Sequence, residues 1–384
     1  MNRSLLHARD AFSYGVGGLL SIHWRTRMTS PQIGSAHAVA WNLSLTAADY
    51  WATFAAGQFG DPAVAIAAAG VFTSIDSYNL PRPVNWIGGP GGFSPGNCGA
   101  SGSFAFVDAM LALRPALVAA IGAGSARPAH LERFDYWAGQ MVYMRQIATF
   151  TCDWAAYNAV ISAVEKIPDP AARRAAAIAQ GLPARASLMA NFSTLMMDLL
   201  ATVSTIEGSG TVDNVLTHSA WGAVGPGPTA ALEGLTGAPL PPSALPPASY
   251  SPARAPQARV QVLRTMLAAG EPLRIRAVVL TSLAQPPTAA TLFYRAAGGS
   301  SYASATLAQA PPEGGVPRFV FTGALPPQPG DFEWYLRVDL PANATAYTEG
   351  LGIPAGTTVA PGGVTCVVPP GGADEPQSVV LVPN

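Results

Sequence analysis

The hydrophobic pattern of this 384-residue chain changes period across a stretch dense in proline, and no other feature constrains its fold as strongly. Before Gly225, apolar residues recur at three- and four-residue steps. From about 130 to 166, Leu131, Phe134, Trp137, Met141, Met144, Ile147 and Ala148 share one helical face. After Pro256 the period is two. In Leu273–Leu280, Leu273, Ile275 and Ala277 point one way and Arg274 and Arg276 the other. Between these regions stand Pro226, Pro228, Pro239, Pro241, Pro242, Pro246 and Pro247. Each removes a backbone donor and fixes φ, which predicts a semi-rigid linker without a regular element. The reading is a multidomain α+β chain: a mainly α-helical region over 1–224, a Pro/Gly/Ala-rich linker over 225–257, and an antiparallel β-sandwich over 258–384.

Further helices are predicted over 4–15, 36–45, 46–59, 63–75, 101–121 (with a distortion at Pro115), 169–180 and 184–206. Thr46 and Asp61 stand as N-caps, and Pro62 and Pro170 occupy first helical positions. Leu19–Ile22 reads as a short buried strand that ends in the polar run His23–Arg27. Residues 78–100 form a loop, and a loop longer than about 15 residues is often functional. The sandwich strands are expected at 273–280, 291–296, 302–307, 318–322, 332–338 and 378–382. Short strands between Gly/Pro turns suit an immunoglobulin- or fibronectin-like architecture.

Charged residues make up 11 % of the chain against 49 % hydrophobic, with a net charge of −1. The near-zero charge and the lack of a basic block argue against a nucleic-acid partner. The apolar excess is largely Ala, Gly and Pro, and no stretch reaches the roughly 20 uninterrupted apolar residues of a membrane span. Arg9 and Asp10 interrupt any signal-peptide core. Cys98, Cys152 and Cys366 allow one disulfide plus a free thiol, or three buried thiols; their spacing is wrong for zinc. Four Asn-x-Ser/Thr triplets begin at Asn2, Asn42, Asn191 and Asn343. Asn42 and Asn191 are expected inside helices and Asn343 in a loop, which favours Asn343 as a glycan acceptor.

The run His23, Trp24, Arg25, Thr26, Arg27 is the sharpest chemical feature. An indole offers a flat apolar face to the C–H side of a sugar ring, Arg grips hydroxyl or carboxylate oxygens, and His donates or accepts. Arg82 and Trp86, in the glycine-rich loop before Gly88–Gly92, are further ligand-contact candidates. That loop lacks the Lys-Ser/Thr of a phosphate loop. Glu132 and Asp135 share a helix face, as paired glycosidase carboxylates would, but acids in a first helical turn also suit the macrodipole. Asp153 carries the same ambiguity. No serine-hydrolase elbow and no zinc-binding His-Glu-x-x-His are present, so no catalytic residue, cofactor or metal is assigned.

The order Tyr14-Gly-Val-Gly-Gly-Leu-Leu-Ser-Ile-His-Trp-Arg-Thr-Arg27, Ser30-Pro31, Ala38-Val-Ala-Trp41 and Asp49-Tyr-Trp-Ala-Thr-Phe-Ala-Ala-Gly-Gln-Phe-Gly60 resembles the closing part of TIM-barrel glycoside hydrolases of the hexosaminidase and alpha-glucuronidase group. Phe134-Asp-Tyr-Trp137 and Phe332-Glu-Trp-Tyr-Leu336 resemble their later helical and accessory sandwich regions. The resemblance implies a last barrel strand ending at a substrate-facing Trp24, with His23, Arg25 and Arg27 near a sugar subsite. It further implies a carbohydrate partner, an extracellular or secretory setting, and catalytic carboxylates on barrel strands upstream of Met1. The alternative expectation is a non-catalytic carbohydrate-binding or extracellular interaction protein.

Overall fold

The computed structural model describes residues 2–17, 26–76, 92–96, 98, 104–203, 206–248, 250, 257–260, 264–281, 286–311, 318–341, 357–360, 363–368 and 377–382. They form a mixed fold, helices first and two small sheets after. The chain divides into two compact units, 1–82 with 100–141 and 83–99 with 142–384.

The first unit contains α1 (Asn2–Ser13), α2 (Thr26–Trp41), α3 (Ala47–Phe59), α4 (Pro62–Asp76), α5 (Ala105–Leu111), α6 (Arg114–Gly122) and the start of α7 (Pro128–Glu165). The caps fall where the sequence puts them. Thr46 Oγ1 accepts from Asp49 N at 3.1 Å while Asp49 Oδ2 accepts from Thr46 N at 3.3 Å. Asp61 Oδ1 accepts from the N–H groups of Ala63 and Val64, both at 3.0 Å. The turn between α3 and α4 needs Gly60, whose φ is 71° and where a Cβ would overlap the His130 imidazole. Aromatic rings fill the core. Trp51 stacks on Phe72 at 4.8 Å, Phe59 meets Phe134 at 5.5 Å, and Phe54 meets the edge of Trp137 at 5.6 Å.

Two helix expectations change in this unit. The helix expected over 36–45 runs instead from Thr26 to Trp41. It stops there because Asn42 Oδ1 accepts from Ser44 N, at 3.1 Å, and so closes a turn that competes with the helix. The helix expected over 101–121 is two, α5 and α6, since Pro115 begins a new first turn. Residues 105–122 are long and apolar enough to cross a membrane by composition. They are broken between the two helices and carry Asp108 and Arg114, so no clear membrane span emerges among the described residues.

The second unit continues along α7 and adds α8 (Pro170–Ala176), α9 (Leu182–Thr202), α10 (Ile206–Asn214), α11 (Trp221–Val224) and α12 (Pro226–Thr236). A wide π-turn, Ala177–Gly181, joins α8 directly to α9, where two separate helices were expected. Pro183 explains it: its ring would collide with the carbonyl four residues back, and it offers no N–H to that carbonyl. The expected linker is also partly regular. Pro226–Thr236 is helical, with a proline at its start and Gly237 in the left-handed conformation at its end. Leu232, Leu240, Ala244 and Tyr250 are buried in the helical core. Prolines at a helix start and in extended turns are compatible with order, and these apolar side chains supply the burial.

The strands are β1 (Gln257–Val260), β2 (Met266–Ala268), β3 (Leu273–Leu280), β4 (Ala289–Ala296), β5 (Ala303–Thr306), β6 (Ala308–Gln309), β7 (Arg318–Leu325), β8 (Phe332–Asp339), β9 (Thr357–Ala360), β10 (Gly363–Val368) and β11 (Gln377–Val382). One sheet has the order β1-β3-β7-β6. The other runs β2-β11-β8-β10-β9, with β4 and then β5 on the opposite side of β8. Pairing is antiparallel except for β2 with β11, which is parallel and departs from the all-antiparallel expectation. Alternate residues of β3, β7, β4 and β8 share one core: Ile275, Phe321, Leu292, Trp334 and Leu336 are all within it.

The pattern along β3 records a second layer. Arg274 and Arg276 are exposed, but Ala277 to Leu280 are buried continuously. Val278 and Leu280 belong to the helical core with Phe192, Leu245 and Tyr250, so helices cover the outer face of this half of β3.

Candidate functional site

His23, Trp24 and Arg25 lie outside the described residues, as do Arg82 and Trp86. Arg27 falls within the first turn of α2. Thr26 and Arg27, the last two residues of the run, thus stand in a helix. The described end of the glycine-rich loop is anchored: Phe93 N donates to Ser219 O at 2.7 Å, Gly96 N donates to Thr151 O at 2.8 Å, and Cys98 is disulfide-bonded to Cys152 of α7. Of the two readings the cysteines allowed, the one with a disulfide holds, and Cys366 stands on β10.

The carboxylates weighed as catalytic candidates have structural partners. Arg114 donates to both oxygens of buried Asp135, at 2.8 and 3.1 Å, a bidentate pair that ties α6 to α7. Asp153 Oδ2 accepts from Ser187 Oγ at 3.2 Å and from Asn191 Nδ2, so it serves the contact between α7 and α9. Glu132 stands on α7 as well.

The arrangement that gathers partly exposed aromatic and charged groups is on the outer face of the larger sheet. Because β4 and β8 alternate, their outward residues are Thr291, Phe293 and Arg295, and Glu333, Tyr335, Arg337 and Asp339. Register places Phe293 opposite Tyr335 and Arg295 opposite Glu333. The two rings stack at 4.8 Å, 8° from parallel, and Tyr302 meets Tyr335 edge-on at 5.0 Å. Arg337 covers Phe293 at 5.1 Å and Arg295 covers Tyr302 at 4.4 Å. Arg295 Nε donates to Glu333 at 2.9 Å, and Arg337 pairs with Asp339 at 3.1 Å.

This ladder constrains what a ligand would meet. The ring faces are largely taken up by one another and by the guanidinium groups. The side chains remain partly exposed along the paired strands. Such a surface suits hydrogen bonding to a polyhydroxylated molecule better than ring stacking. Sequence reading missed it as a site, although one signal was present. Phe293 and Tyr335 are aromatics at the outward positions of two alternating strands, where polar residues normally stand.

A different polar centre lies in the helical core. Arg185, fully buried on α9, donates to Ala244 O and Thr229 Oγ1, each at 3.3 Å, and to Ala223 O, and lies 5.5 Å over the Tyr157 ring. Burial draws its guanidinium below the ordinary range, while Tyr157 opposes the shift. With carbonyls as its main acceptors, it clamps α9 to α11, α12 and the turn at 242–244.

No protein-family model matches the chain, and no curated protein matches it.

Proposed function

We propose that the chain is the carbohydrate-engaging C-terminal region of a glycoside hydrolase, supplying substrate contacts and scaffold while the acid–base pair comes from elsewhere in the enzyme. In this reading His23, Trp24, Arg25 and Arg27 line a sugar subsite, Arg82 and Trp86 extend it, and the two sheets are an immunoglobulin- or fibronectin-like accessory module. The observation that carries it is the start of α2 at Thr26, inside the His23–Arg27 run. In sequence, apolar Leu19–Ile22, which lie outside the described residues, then that run, then the helix follow the order of a barrel βα unit, whose working residues sit at the strand's C-terminal end. The structural partners of Asp135 and Asp153 agree with a chain that lacks its own acid–base pair. The Cys98–Cys152 disulfide suits the oxidising surroundings of an extracellular enzyme.

The outer face of β4 and β8 favours a second reading, a carbohydrate-binding protein without catalysis. Glycan-array binding by the full chain separates the two. The first predicts that Trp24→Ala lowers binding at least tenfold while Tyr335→Ala with Arg295→Ala has little effect; the second predicts the reverse. Undiminished binding by all of these variants would sink both.

A further inference from the structure

Of the four Asn-x-Ser/Thr triplets, the one at Asn343, favoured from sequence, lies outside the described residues, and Asn42, expected inside a helix, instead follows the end of α2. Asn191 lies within α9, half-buried; its Nδ2 donates to Asp153 and its Oδ1 accepts from Gln146 Nε2 at 3.3 Å. A glycan on that nitrogen would have to displace the contact with α7. Asn42 is the opposite case. It follows the last residue of α2, is exposed, and begins the turn into α3. Its Oδ1 accepts from both Ser44 N, at 3.1 Å, and Ser44 Oγ, at 2.7 Å. Its Nδ2 makes no hydrogen bond among the described residues. Arg9 holds the turn from the other side, donating to Leu43 O at 2.9 Å and Leu45 O at 2.7 Å.

From this geometry we infer that Asn42 is an N-glycosylation acceptor and that Asn191 is not. The inference rests on the secretory setting of the reading above. Nδ2 forms a bond to C1 of a sugar carried on a lipid diphosphate. The bond from C1 to the diphosphate oxygen breaks, the diphosphate leaves with the electron pair, and the proton released from the amide nitrogen passes to the departing diphosphate. The amide nitrogen is open to solvent, the third residue's hydroxyl is bonded to the amide oxygen, and a glycan there would displace no packing. Beside it Trp41 is 94 % exposed, an apolar surface that the C–H face of an attached sugar would cover.

The full chain, directed into the secretory lumen of a eukaryotic host by a cleavable leader, is digested and its peptides are read by mass spectrometry. The expected result is glycan on Asn42, none on Asn191, loss of the Asn42 glycan in Ser44→Ala and its retention in Ser44→Thr. The inference is overturned if Asn42 is unmodified in molecules whose Cys98–Cys152 bond has formed, since that bond marks passage through the lumen. Glycan on Asn191 of the folded chain overturns it equally. Glycan-array binding plays no part in this readout, so the sugar-binding proposal can fail while this one stands, and the converse.

Discussion

At the scale of single residues, buried Arg185 and half-buried Tyr50 make contacts that no local pattern announces. Arg185 satisfies acceptors from three separate segments, and truncating it leaves carbonyls buried without a donor as well as a cavity. Arg185→Ala is expected to lower unfolding free energy by about 3 kcal/mol, measured by urea denaturation. Arg185→Lys should recover little, because one ammonium cannot span the three acceptors of a guanidinium fork. Tyr50 approaches the backbone of α2 at Gly34, where a Cβ would come within 2.5 Å of its hydroxyl. Burial raises the Tyr50 phenol to about 12. The folded chain therefore keeps this proton after the unfolded chain has released its own, near pH 10. The stability it contributes is complete below about pH 10 and lost as pH rises through about 12. Tyr157 and Tyr250 are raised by burial too and add to the same alkaline loss. Thermal melts from pH 8 to 12 should show a steep fall, and one that is shallower in Tyr50→Phe.

At the scale of elements, the disulfide is the strongest local constraint. It ties Cys98, beyond the glycine-rich loop, to Cys152 on α7 across 54 positions of sequence. Closing a loop of that length in the unfolded chain stabilises the fold by about 4 kcal/mol on the chain-entropy estimate. Cys98→Ser should lower the urea midpoint, and reductant should lower the wild-type midpoint to match while leaving the variant unchanged. Residues 92–96 illustrate the same segment's dependence on partners. Its backbone is satisfied by Ser219 and Thr151, far away in sequence, so no motif marks it as ordered.

At the scale of the whole molecule, the sheets and the later helices of the second unit share β3. One face of that strand belongs to the core between the sheets, and at Val278 and Leu280 the other belongs to the helical core. Leu280→Ala should cost about 3 kcal/mol, while Arg274→Thr, on the exposed stretch of the same face, should stay within about 0.5 kcal/mol. Both are read from equilibrium unfolding, and the helical and near-ultraviolet signals should shift together in Leu280→Ala. Residues 258–384 expressed alone would expose Val278, Leu280 and Val320, and self-association is expected in sedimentation.

Much of this was legible in one dimension. Thr46 and Asp61 as caps, Pro62 and Pro170 as helix starts, and the alternating strands β3 and β8 follow from local stereochemistry and period, which act within a few residues. The start of α2 was not, nor the stop after Trp41, which turns on one side-chain oxygen competing for a backbone donor. The conformation of 226–248 was also hidden, because prolines exclude some conformations without choosing among the rest, and burial of Leu232, Leu240 and Ala244 made the choice. The outward ladder of Phe293 and Tyr335 depended on strand register, and the Arg185 clamp on segments that meet only in three dimensions. The two periods and the caps can be read directly along the chain, since those are set between near neighbours. The helix at Pro226–Thr236, the joining of Cys98 to Cys152 and the partial burial of Asn191 rest on partners distant along the chain, so they emerge only in three dimensions.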